Sequence, residues 1–367
     1  MQDRSASILS LIRPHFHAME GYISAGMEAQ KDESTLFLNA NENPYELSGL
    51  EGCNRYPEPQ PSKLLAKMAA YYGASEDNLL ITRGADEGIA LLTRLFIEPS
   101  KDRILINPPT FGVYKVYARG VPAKDILEIP LLQQNGTFTL DTAAIINSLK
   151  KSAPPKLVYI TNPNNPTGGS FAQEDILAII QAAKDKAIVV LDETYAEFEP
   201  QGSLVARLKD YPNLVILRTL SKSFSMAGMR VGAILSGVPE LIETLKTKIM
   251  EVYPIPVACE KAALKVFEPA IMSAAQANIA ALISERKRME EFWSKQTSIL
   301  HVYPSNANFL LIRMERAANF AKFCKERGVI LRDFSNAPLT PDCLRISIGT
   351  PEQNERVQTL YLDFIEP

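Results

Sequence analysis

Cysteine, histidine and tryptophan are scarce in this 367-residue chain, with four, three and one respectively. The cysteines, Cys53, Cys259, Cys324 and Cys343, are far apart and include no Cys-x-x-Cys pair. That spacing excludes a disulfide framework and favours a reducing, cytoplasmic setting. Neither the histidines nor the cysteines cluster at metal-ligand spacing, so no protein-held metal is expected. No run approaches the roughly 18 apolar residues of a membrane helix. Met1-Gln2-Asp3-Arg4-Ser5 has no basic stretch leading into an apolar one, so no secretory signal is expected. Charge of one sign is lacking too: 39 basic against 42 acidic residues, pI about 5.8. A dedicated nucleic-acid binder would carry a basic patch or stripe, so that class is excluded.

What the chain does have is apolar material, 46% of its residues, and an alternating pattern. Short branched apolar runs predict buried strands at Ile104–Ile106, Leu157–Thr161, Ala187–Leu191, Leu214–Arg218 and Val231–Leu235. Helical spacing lies between them, with Ile89, Leu92, Leu95 and Phe96 on one face and Ile176, Leu177, Ile180 and Ala183 on another. Ser170 followed by Gln173 reads as a capping box for the second. The alternation predicts an α/β fold with a mostly parallel sheet between helices.

After Tyr253-Pro254-Ile255-Pro256 the pattern changes to helices at about 257–267 and 270–296, then shorter α+β signals. These are Ala307–Arg313, a helix near 316–327, Val329–Arg332 and Leu344–Ile348. The expected organisation is an N-terminal arm (1–45) whose latter part joins the small domain, a large domain (46–254) and a small α+β domain (255–367). The charged run Glu285–Glu291 reads as the solvated face of a helix.

Four segments fall at the ends of expected strands or the start of a helix, where ligand loops of α/β sheets belong. Arg218-Thr219-Leu220-Ser221-Lys222 leads to Arg230 eight residues after the lysine. Thr219, Ser221 and Arg230 can hold a phosphate, with Lys222 beside it ready to react with an aldehyde. Asp192 ends a strand, where it serves either as a helix cap or as the partner of a protonated pyridine nitrogen. Asn162-Pro163-Asn164-Asn165-Pro166-Thr167-Gly168-Gly169 makes a rigid turn whose asparagine can donate to a phenolate oxygen. Arg83-Gly84-Ala85-Asp86-Glu87-Gly88 opens a helix whose N–H groups suit a phosphate. Neither a GxGxxG nor a GxxxxGK[ST] sequence occurs, so dinucleotide and ATP sites lose support.

In this order the segments resemble the fold-type-I aminotransferases that use pyridoxal 5′-phosphate, and most closely the histidinol-phosphate aminotransferases. Leu38-Asn39-Ala40-Asn41-Glu42-Asn43-Pro44-Tyr45, Asn54-Arg55-Tyr56-Pro57, Gly328–Asp333 and Cys343–Gly349 carry the same likeness. It spans nearly the whole chain, from about Tyr22 to the last helix. The resemblance implies that Lys222 holds the cofactor and moves the proton between substrate Cα and the cofactor. It implies Asp192 at the ring nitrogen, Asn165 and Tyr195 at the 3′ oxygen, and Phe111 stacked on the ring. The phosphate would lie on the Ala85 and Asp86 backbone with Thr219, Ser221 and Arg230, and Tyr56 would reach it from the second subunit of a homodimer. Tyr22, Asn43, Arg332 and Arg345 would face the substrate. The segment Tyr253–Val257 runs a couple of residues short of the family pattern, which bears on side-chain specificity.

The activity so implied is amino transfer between L-histidinol phosphate and 2-oxoglutarate in histidine biosynthesis. The same scaffold also serves O-phosphothreonine decarboxylation and aromatic amino-acid transamination. A cofactor-sensing regulator ranks lower, because the residues before Asn39 are few and show no helix-turn-helix pattern.

Overall fold

A computed structural model describes residues 7–22, 36–199 and 202–366. The apolar runs form a seven-stranded sheet. Its strands are β1 (Leu79–Thr82), β2 (Arg103–Ile106), β3 (Asp125–Glu128), β6 (Leu157–Thr161), β7 (Ile188–Asp192), β8 (Leu214–Thr219) and β9 (Gly232–Ser236). The hairpin β4 (Leu132–Gln134) and β5 (Thr137–Thr139) stands apart from it. The order across the sheet is β1-β9-β8-β7-β6-β2-β3, with β9 antiparallel to both of its neighbours and the other pairs parallel.

Every residue of β6, β7 and β8 is buried, which explains runs without polar alternation. Side chains still alternate between faces with the two-residue period of a strand. Val189, Leu191, Leu214 and Ile216 join one core layer, beside the helices Ser62–Tyr72 and Gln173–Ala182. Ile188, Val190, Val215 and Leu217 join the other, beside Gly84–Phe96 and Pro239–Lys248. Burying each such side chain contributes about 1.5–3 kcal/mol, so the central strands anchor the fold.

The C-terminal part forms a four-stranded antiparallel sheet, β10 (Ile299–Val302), β11 (Phe309–Met314), β13 (Cys343–Ser347) and β12 (Arg332–Asp333), in that order. It packs through Leu310, Ile312, Leu344 and Ile346 onto Trp293, Phe320 and Tyr361 from three helices. Helix Val257–Val266 places Ala263 and Val266 in the first layer of the large sheet, where Leu311 and Cys343 also pack.

Three local expectations are corrected. Helix Gln173–Ala182 has Ala172 at its N-cap and no side-chain cap. Ser170 instead donates to Glu199 and accepts from Asn306 Nδ2, because the Asn-Pro-Thr-Gly turn docks on residues 305–307. The capping box is at Thr350 and Gln353. Val329–Leu331 is not strand; pairing starts at Arg332. Within the run 285–291, Arg288 pairs with Glu285 at the surface, but Arg286 is buried and donates to the Ala307 carbonyl. Leu282, Arg286, Met289 and Trp293 follow a 4-3-4 spacing, which puts Arg286 on the core-facing stripe. No single helix among the described residues is long and apolar enough to cross a membrane.

Candidate active site

Because β6, β7 and β8 run parallel, their carboxyl ends open on one edge of the sheet. Register pairs Thr161 with Asp192 directly, so two chemistry-bearing segments become neighbours. A cleft of about 710 Å³ lies along this edge. Lining it are twelve of the expected residues: Ala85, Asp86, Phe111, Asn165, Asp192, Tyr195, Thr219, Ser221, Lys222, Arg230, Arg332 and Arg345. Thr110, Thr161, Thr194 and Phe334 line it as well. None of these four is among the residues expected from sequence, although Thr161 is the last residue of a predicted strand.

One end of the cleft is an anion cup. The 13-residue helix Gly84–Phe96 starts there, with its free N–H groups and positive dipole end. Gly84 holds φ +77°, and a Cβ on it would lie 2.8 Å from a nitrogen of Arg230. Arg230 reaches Asp86 at 3.2 Å and the Arg83 carbonyl at 3.4 Å. Gly232 is equally constrained, since a Cβ there would sit 2.7 Å from the Arg218 carbonyl and 2.8 Å from Gly84. These contacts draw three segments together under the cup. Thr219 and Ser221 hydroxyls, 3.0 Å apart, complete it.

At the floor, Asp192 is buried and accepts from the Thr194 amide and hydroxyl and from the Tyr114 hydroxyl. Burial raises its pKa, partly offset by the hydrogen bonds from Thr194 and Tyr114. Among the described residues no lysine or arginine pairs with it, so the cleft has a built-in place for a cation. Lys222 makes no hydrogen bond or ion pair among the described residues. Burial lowers its pKa, Arg345 adds to this and Asp86 opposes it, all of which bear on its availability as a neutral amine. Asn165 lies between Tyr195 (3.4 Å, Nδ2 to hydroxyl) and Arg345, which donates to its Oδ1. Tyr195 is pushed up to about 12 by burial, against the pull of Arg345. Phe111 forms a side wall, edge-on to Tyr114 at 5.8 Å.

Arg345 and Arg332 form the opposite wall. They are direct cross-strand partners on β13 and β12, and neither pairs with a carboxylate among the described residues. Arg345 lies against the rings of Phe309 and Phe334, and burial lowers its pKa.

Three expected residues lie elsewhere in the chain. Tyr22 is exposed, its amide on the Thr247 carbonyl. Asn43 accepts from the Tyr45 amide at 3.0 Å. Tyr56 stacks on Tyr253 at 4.6 Å and lines a separate hollow with Glu42, Cys53 and Pro256.

An anion cup, a buried carboxylate with no cationic partner among the described residues and a lysine with no partner among them either, at the carboxyl edge of a mostly parallel sheet, suit a cofactor-dependent group-transfer enzyme. The chain belongs to the aminotransferase class I and II family, whose model matches residues 27–359. It is a transaminase. It is 41% identical over 361 residues to histidinol-phosphate aminotransferase 1 of Haemophilus influenzae (strain 86-028NP), covering 96% of this chain and 97% of that one. Identity to the histidinol-phosphate aminotransferase of Xanthomonas axonopodis pv. citri is 38%, covering 96% of each. Among solved structures, the Clostridium acetobutylicum histidinol-phosphate aminotransferase superposes with TM-score 0.76 at 24% identity, over 85% of this chain and 91% of that one. The Sinorhizobium meliloti enzyme in complex with pyridoxal-5'-phosphate superposes with TM-score 0.73 at 23% identity, over 83% and 81%. Such structural likeness bears on fold alone.

The residues present fit pyridoxal phosphate. The cup would offer donors to its phosphate, Asp192, with no cationic partner among the described residues, would face its ring nitrogen, and Lys222, with no partner among them either, would bond its aldehyde carbon.

Proposed function

We propose that this chain transfers the amino group of L-histidinol phosphate to 2-oxoglutarate, giving imidazole-acetol phosphate and L-glutamate, as a step of histidine biosynthesis in the cytoplasm. The observation that carries the reading is the Arg332–Arg345 pair. Like charges directly opposite on a sheet destabilise it unless an anion lies between or beside them. Both half-reactions provide one: a phosphate on histidinol phosphate, carboxylates on glutamate. Bound pyridoxal phosphate supplies an electron-withdrawing ring that acidifies the substrate's Cα–H. Asp192 keeps the ring nitrogen protonated. Lys222 would hold the cofactor's aldehyde carbon and, as a neutral amine once substrate is bound, would carry the proton between the substrate Cα and the cofactor. Asn165 and Tyr195 hold the ring oxygen, and Phe111 packs on the ring.

In this reading residues 46–254 hold the cofactor, residues 255–367 bring the arginines over it, and residues 1–45 are an arm. The enzyme is a homodimer in which Tyr56 serves the partner's cleft rather than its own, and Tyr22 and Asn43 face substrate. Support comes from a band of apolar side chains, Leu36, Leu38, Tyr45, Leu47, Leu50 and Tyr56, each between 51 and 79% exposed in the single chain. So many large apolar side chains left exposed within about twenty residues favour an interface.

The test is a donor comparison. Histidinol phosphate should be much the best substrate, ahead of histidinol, O-phosphothreonine and phenylalanine. Arg345→Ala should weaken both half-reactions by roughly 2–5 kcal/mol and shrink the preference for the phosphorylated donor. Equal wild-type activity on histidinol and its phosphate would remove the assignment. Carbon dioxide release from phosphothreonine would replace it with a decarboxylase.

A further inference from the structure

Asp192 receives a hydroxyl relay that no local sequence pattern announces. Tyr114 donates to Asp192 Oδ2 at 2.8 Å, and its oxygen is 2.7 Å from Thr161 Oγ1. Thr161 Oγ1 is in turn 3.3 Å from Thr110 Oγ1. A carboxylate only accepts, and each hydroxyl has one proton. With Asp192 ionised, Tyr114 must donate to it and accept from Thr161, and Thr161 is then left to accept from Thr110. All three hydroxyls point their protons toward Asp192. Oδ1 is already occupied by two donors from Thr194, so a proton on Asp192 can reside only on Oδ2. A proton on Oδ2 weakens that oxygen as an acceptor from Tyr114. The relay therefore favours the charged form of Asp192.

Tyr114 has no freedom to leave this arrangement. It is fully buried at the start of helix Val113–Gly120, its ring stacked on Tyr159 at 4.6 Å. Phe111 meets it edge-on at 5.8 Å. Hydrogen bonds to a charged group in a dry site are among the stronger ones, and chains of them reinforce one another.

We infer that Tyr114, backed by Thr161 and Thr110, is a positioning residue for Asp192: its hydroxyl weakens the carboxylate's pull on the proton of the cofactor's ring nitrogen. The inference rests on the proposed reading that pyridoxal phosphate occupies this cleft with its ring nitrogen served by Asp192. Without the hydroxyl Asp192 becomes more basic, draws that proton toward itself and leaves the ring a poorer electron sink.

The test reconstitutes the enzyme with pyridoxal phosphate carrying nitrogen-15 in the ring and reads the nitrogen chemical shift. In Tyr114→Phe, which keeps the ring stack, the signal should move toward unprotonated pyridine. Turnover should fall about 10- to 100-fold with KM nearly unchanged, the scale of one lost hydrogen bond to a charged group. Thr161→Val should move the signal the same way by less, and it stands in if Tyr114→Phe does not fold. Tyr159→Phe cuts the neighbouring bond to Thr93 and serves as the structural control, with the signal expected unmoved. A wild-type signal in Tyr114→Phe, or in Thr161→Val where only that variant folds, overturns the inference. So does an equal shift in Tyr159→Phe. A wild type that binds no cofactor would overturn the reading of the cleft instead.

Discussion

Asp192→Asn separates the chemical from the structural duty of the buried carboxylate. The amide has the same shape, and its oxygen can keep accepting from the Thr194 amide and hydroxyl. Its NH2 group faces Tyr114, whose hydroxyl can turn to Thr161 at 2.7 Å. No polar atom is therefore stranded, and a buried charge with no cationic partner among the described residues is removed. Burial holds the carboxyl above its ordinary 3.8, so its ionisation weakens the cofactor-free fold as pH rises from that value through the raised one. Cofactor-free Asp192→Asn should accordingly match or exceed wild-type stability at neutral pH, and its advantage should vanish in acid. Catalysis should respond oppositely. A neutral amide cannot hold the ring nitrogen protonated, and losing one partner of a buried charge pair costs about 3–5 kcal/mol. That corresponds to roughly 10³-fold in turnover. Single-turnover absorbance with histidinol phosphate measures the rate, and thermal unfolding of the cofactor-free protein across pH measures the fold. Turnover within about tenfold of wild type, at unchanged stability, would refute the electron-sink role and leave Asp192 as a cap.

Three further outcomes follow from the same geometry. Borohydride should fix the cofactor to Lys222, as peptide mapping reads it, and Lys222→Ala should bind cofactor yet not turn over; an adduct on another lysine overturns the assignment. Arg218 is buried between Glu193 (3.0 Å) and Glu197 and lies over Tyr72, behind the strand ends that carry Asp192 and Lys222. Arg218→Ala strands two buried carboxylates and should lower stability by about 3–5 kcal/mol in denaturant unfolding, while a loss below about 1 kcal/mol would show the network to be slack. Mixing Lys222→Ala with Tyr56→Phe subunits should restore activity in heterodimers, each having one intact cleft; no recovery, with Tyr56→Phe itself impaired, would place Tyr56 in its own subunit's site.

Much of this protein is legible in its amino-acid sequence. The central strands of the parallel sheet announce themselves as unbroken branched runs, because burial on both faces removes polar alternation. The candidate residues at their carboxyl ends are legible for a related reason: Asn165, Asp192 and Lys222 each lie within a few residues of a strand, and chain order puts those strands side by side. Edge elements such as β3 and the hairpin β4–β5 are not, since half-exposed strands carry a weaker apolar signal. Tertiary structure alone decides what bridges distant segments. Tyr114 reaches Asp192 across 78 positions, Arg345 reaches Asn165 across 180, and Arg286 turns inward to Ala307 rather than outward to water. Arg332 and Arg345 become a facing pair only when β12 registers against β13. Local spacing reports which face of one element is apolar. It does not report which hydroxyl, carbonyl or guanidinium another element will bring to that face, because that depends on how whole layers pack.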